Sequence, residues 1–117
     1  MLAVSNIVVG IVAVLHVGFL ILEMFLWTRP FGMKTFGMTK DAAQSSAVLA
    51  ANQGLYNGFL AAGLIWGLAS GIFSVKIFFL ACVLIAGLYG GFTAKRSILY
   101  IQALPALLGL IFVYLAR

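Results

Sequence analysis

Two residues in this chain could exchange a proton inside an otherwise apolar run. The run extends from Ile7 to Trp27, and the two are His16 and Glu23. An ionisable group facing lipid at that depth costs about 2.5–3.5 kcal/mol or more. Glu23 must therefore face protein, water or a ligand. On a helix, positions seven apart return to nearly the same face, and His16 and Glu23 have that spacing. They share a stripe with an axial offset of roughly 10 Å. As acid and base they could both touch one substrate only if it is long.

A second polar set lies in the stretch Asn52-Gln53-Gly54-Leu55-Tyr56-Asn57-Gly58. Asn52 and Tyr56 lie four apart on one helix face, and Gln53 and Asn57 on an adjacent one. Side-chain amides near a bilayer centre are costly unless they meet partners. Depth counted from the basic ends of the runs brings this set close to His16. The same count brings Tyr89 and Gln102 close to Glu23. The expectation is one continuous polar core fed by four helices, with ligand-binding candidates Glu23, His16, Asn52, Tyr56, Gln53, Asn57, Tyr89 and Gln102. The alternative is interhelical glue. Gly54, Gly58 and Ala62 form a small-residue row, as do Gly63, Gly67 and Gly71, and such rows let helices approach closely.

The elements that must position these residues follow from composition. Only 8% of the 117 residues are charged and 65% are hydrophobic, with a mean hydropathy of +1.22. Soluble domains carry about 25% charged residues, so most of this surface must face lipid. A span needs about 20 apolar residues. The expectation is an all-α integral membrane four-helix up-down bundle, a single transmembrane domain over residues 1–117. Its spans fall at about 2–27, 40–68, 74–94 and 97–116. Trp27 anchors the first at the interface, and Arg29-Pro30-Phe31-Gly32 ends it before a loop containing Lys34. Thr39 caps the second, with Asp41 in its first turn. Pro105 kinks the fourth beside Gln102. The N-terminal stretch lacks the basic segment of a signal peptide and reads as a retained first span.

The net charge of +5 does not mark a nucleic-acid binder, because the basic residues sit mainly at the ends of apolar runs. Arg29, Lys34, Lys40, Lys95 and Arg96 fall on one side, and Lys76, Arg117 and the terminal amine on the other. The positive-inside rule then puts both termini outside the cell (inner) membrane. A single cysteine, Cys82, and a single histidine allow no intrachain disulfide and no ordinary metal-ligand set. No phosphate loop or other cofactor motif appears.

Leu22-Glu23-Met24-Phe25, the Asn52–Gly58 stretch, Gly87-Leu88-Tyr89-Gly90 with Thr93, and Gln102 with Pro105-Ala106 resemble a family of small four-span bacterial membrane proteins, catalogued as domain of unknown function 1304. The resemblance covers nearly the whole chain and is most specific in Asn-Gln-Gly-x-Tyr-Asn-Gly. It implies four spans and no particular activity.

Three functions remain open at this stage. The first is binding or transport of a small molecule or lipid through the polar core around Glu23, with membrane lipid as surroundings and a homodimer as the expected assembly. The second is an intramembrane enzyme acting on a lipid or isoprenoid through His16 and Glu23. The third is a structural or regulatory partner of a larger membrane protein.

Overall fold

A computed structural model describes residues 1–117. The chain is entirely helical, with α1 at Leu2–Met24, α2 at Pro30–Phe36, α3 at Lys40–Ser70, α4 at Phe73–Thr93, a π-helical segment at Leu99–Ala103, and α5 at Leu104–Ala116. Three stretches are long and apolar enough to cross a membrane: Leu2–Met24, Phe73–Thr93 and Leu99–Ala116. α3 has 31 residues, so its length is ample, but Asn52, Gln53 and Asn57 dilute its apolar character.

The stretch after Trp27 differs from expectation. Pro30 does not merely end the first helix; it opens a new one, at the first-turn position where its missing N–H costs nothing. The expected loop around Lys34 is therefore helical. α1 itself stops at Met24, where the Phe25 and Leu26 amides both donate to the Ile21 carbonyl at 3.0 and 3.2 Å. α2 closes on Gly37 in the left-handed region, φ 63°. The Gly37 and Met38 amides return to the Lys34 and Met33 carbonyls, a glycine-terminated cap that satisfies the last carbonyls. Thr39 then caps α3, its Oγ1 accepting from the Ala42 amide at 3.1 Å.

The chain divides into two compact units. One comprises Leu15–Phe59, and the other Met1–Val14 with Leu60–Arg117. In the larger unit, Val9, Val12, Leu64, Leu80, Val83, Ala106 and Val113 form a closed apolar core. Glycines set its helix contacts. A Cβ on Gly87 would lie 2.6 Å from the Ala103 backbone nitrogen, and one on Gly67 would lie 2.9 Å from Lys76 Cγ. Along both pairs residue numbers rise on one helix as they fall on the other, so α3–α4 and α4–α5 are antiparallel.

The kink expected at Pro105 takes a specific form. Proline at 105 supplies no N–H and crowds the carbonyl four residues earlier. The turn ahead of it widens to a π-helix over Leu99–Ala103, closed by the Leu104 amide on the Leu99 carbonyl. Wider turns of this kind interrupt α-helices as single inserted bulges.

Candidate functional site

In the smaller unit, α1 and α3 meet through small residues. A Cβ on Gly54 would lie 2.6 Å from Met24 Cγ and 3.1 Å from Glu23 Cβ, and one on Gly58 would lie 2.7 Å from Leu20 Cδ1. The higher α3 number faces the lower α1 number, so the two helices run antiparallel. Without side chains at 54 and 58, the backbones come close enough for polar groups to meet across them.

They meet at Glu23. Asn57 Nδ2 donates to Glu23 Oε1 at 2.5 Å. Asn57 is buried at 6% exposure, and Glu23 is half-buried. The carboxylate thus has an amide partner 34 residues away in sequence. Its other oxygen remains available to a ligand or to water, as a carboxylate accepts several hydrogen bonds.

His16 lies one seven-residue step earlier on α1 and is completely buried. Its ring meets Phe19 edge-on, centroids 5.1 Å apart. Together Ser5, Val9, Val12 and His16 make the buried stripe of α1, which continues to half-buried Glu23, as the spacing predicts.

The remaining candidates lie elsewhere. α3 buries Ala43, Ala50, Gly54, Asn57, Ala61 and Leu64. Asn52, Gln53 and Tyr56 point away from that face and are exposed, Tyr56 at 52%. The Tyr56 ring meets Phe59 on its own helix at 5.9 Å between centroids. In the other unit Tyr89 is 73% exposed, and Gln102 is half-buried within the π segment. A continuous core of the kind expected from depth counting would need Asn52, Gln53, Tyr56 and Tyr89 inside, and these four side chains are exposed. The chain brings Glu23 and Asn57 together and turns Asn52, Gln53, Tyr56 and Tyr89 outward. The reason is rotational: depth fixes how far along a helix a residue lies, while small-residue packing fixes which way it points.

These residues fall within a stretch shared with known proteins. The family described as a protein of unknown function (DUF1304) matches residues 10–114. The chain belongs to this family. It is also 32% identical over 94 residues to the uncharacterized protein YpaA of Lactococcus lactis subsp. lactis (strain IL1403), covering 77% of this chain and 79% of that protein. No solved structure matches.

Two polar contacts were not anticipated from sequence. Trp27 Nε1 donates to Ser46 Oγ at 3.0 Å, and the indole lies 4.9 Å from the Phe36 ring. Trp27 thus ties α2 and α3 to the end of α1 and is more than an interfacial anchor. Lys76, counted with Arg117 and the terminal amine on one side, is buried at 6% exposure. Its Nζ donates to Asn6 Oδ1 at 3.2 Å.

Proposed function

We propose that this protein spans the bacterial inner membrane four times as an up-down bundle and binds or transports a small molecule or lipid at the Glu23–Asn57 pair. α3 supplies the fourth span: its 31 residues reach about 46 Å at 1.5 Å each, against a hydrocarbon core of about 30 Å. The basic residues flanking α1 and α4 favour both termini outside.

The observation that carries the reading is the hydrogen bond from Asn57 to Glu23, made where Gly54 and Gly58 bring the helices together. A buried polar pair is a poor device for stability, because well-packed apolar replacements are often neutral or stabilising. A carboxylate held by one amide and half open suits reversible contact with a polar ligand. The enzyme reading gains nothing comparable, because His16 is sealed against Phe19 and offset from Glu23 along α1.

The outward row of Asn52, Gln53 and Tyr56, flanked by Val48 at 84% and Leu49 at 75% exposure, supports a homodimer through α3. Amides in lipid need partners, and the same row on a second copy can supply them. A different membrane protein on this face is the competing outcome in a crosslinking test at Gln53.

Mass spectrometry of protein released from native membranes, with Glu23→Gln alongside, tests the ligand. A retained small molecule or lipid that disappears in the variant supports the reading and identifies the chemical class. Identical spectra without a ligand sink it and favour a scaffold role.

A further inference from the structure

Lys76 is a cation buried in a unit that has no acidic side chain. The only acidic residues in the chain, Glu23 and Asp41, both belong to the Leu15–Phe59 unit. Removing a charge from water without a counter-charge is unfavourable. The neutral Asn6 carbonyl oxygen at 3.2 Å offsets only part of that.

Four further features surround the same place. Lys76, Ser5 and Arg117 line one cavity of about 80 Å³, together with Gly71, Phe73 and Val113. The cavity is large enough for several waters or one tetrahedral oxyanion. Ser5 is 1% exposed, and its Oγ has no hydrogen-bond partner. A buried hydroxyl left unmatched is destabilising, so a ligand that accepts from it recovers that loss. α4 begins here at Phe73, and its N-cap residue Ile72 makes no side-chain capping bond. The free amides of that first turn favour an anion. The Arg117 guanidinium is held against the Tyr114 ring at 4.3 Å and the Phe73 ring at 5.6 Å.

We infer that the cavity between Ser5, Lys76 and Arg117 is a binding site for a phosphate group, with the Lys76 ammonium as counter-charge and the Ser5 hydroxyl as donor. Arg117 supplies the second cation from the exposed side. A phosphate offers several acceptor oxygens and meets all three donors at once. It can come from the headgroup of an anionic phospholipid, since the cavity lies where α1 and α4 begin and α5 ends. It can also come from free phosphate or a soluble phosphoester. This site is separate from the Glu23–Asn57 pair and stands or falls independently of it.

The test uses full-length protein freed of lipid in a non-ionic detergent. One arm adds phosphatidylglycerol or phosphatidylcholine and counts retained lipid by native mass spectrometry. The other titrates inorganic phosphate by calorimetry. Four variants accompany the wild type: Lys76→Met, Ser5→Ala, Arg117→Gln and, as a charge control at an exposed site, Lys95→Met. The expected result is one retained phosphatidylglycerol or one bound phosphate per chain, weakened at least about tenfold in Lys76→Met and unchanged in Lys95→Met. Retention of the lipid without phosphate binding assigns the headgroup, and phosphate binding without lipid preference assigns the free anion. Equal binding by wild type and Lys76→Met overturns the site, as does no binding in either arm. If Lys76→Met does not fold, Ser5→Ala and Arg117→Gln decide, and unchanged binding in both overturns it.

Discussion

The Asn57–Glu23 hydrogen bond predicts a measurable coupling between α1 and α3. The perturbation is a double-mutant cycle of Asn57→Ala, Glu23→Ala and the pair. The bond joins a buried amide to a half-buried carboxylate at 2.5 Å. Hydrogen bonds to charged groups contribute about 1.5–3 kcal/mol in soluble proteins, whereas side-chain bonds between membrane helices average about 0.6 and reach about 1.7 kcal/mol. A short contact with one partner buried belongs near the top of the membrane range. The expected coupling is therefore about 1–2 kcal/mol, a factor of roughly 5–30 in the folded ratio. Outside the cycle, Glu23→Gln keeps an acceptor for the Asn57 amide and should cost less than Glu23→Ala. The assay is reversible unfolding in mixed detergent–lipid micelles, followed by tryptophan fluorescence. A coupling within the roughly 0.3–0.5 kcal/mol scatter of independent sites would refute the reasoning. An apolar pair, Glu23→Leu with Asn57→Leu, separates stability from function: it should fold about as well as wild type while losing the bound molecule.

Gly87→Ala should destabilise by about 1–3 kcal/mol from overpacking, because the new Cβ meets the Ala103 backbone at 2.6 Å and backbone cannot step aside. Gly10→Ala, with nothing within 4 Å, should instead gain up to about 1 kcal/mol in helix propensity; the same unfolding assay compares the two. Thr39→Ala removes the side-chain acceptor for the Ala42 amide and should cost about 1 kcal/mol, seen as faster amide exchange confined to the first turn of α3. Trp27→Phe keeps an aromatic ring beside Phe36 but loses the bond to Ser46. The expected loss is about 0.5–1.5 kcal/mol, and Ser46→Ala in the same background should add nothing further.

The sequence made some features legible and hid others for identifiable reasons. The seven-residue interval from His16 to Glu23 placed both on the inward stripe of α1, because helical phase over two turns is a property of the backbone. The Thr39 cap was legible for the same local reason. The facing of α3 was not. In water, the polar side of a helix points outward and so reveals the inner one. α3 offers no such guide, because it carries polar residues on both faces, with Asn57 in and Asn52, Gln53 and Tyr56 out. The sharper guide was size: Ala43, Ala50, Gly54, Ala61 and Gly67 trace the packed side. α2 was missed because proline signals both an end and a beginning, and Pro30 does the second. Lys76 was missed because a cation near a turn is usually solvated, and only the fold reveals that Asn6 and Ser5 lie around it.

The π segment at Leu99–Ala103 also sets which changes in chain length the last helix can absorb. A π turn is an α turn with one surplus residue. At its start, Ile98 and Leu99 face Gly90 and Gly91; from its end onward, Ala103 and Gly109 face Gly87 and Leu80. Loss of one residue inside the segment would tighten the turn to an α turn and leave both sets of contacts in phase. The same loss further along α5 would rotate everything after it by about 100°, taking the later contacts off α4. The segment is thus a point of slack in an otherwise rigid reading frame of contacts, where related chains can differ by one residue and keep the same packing.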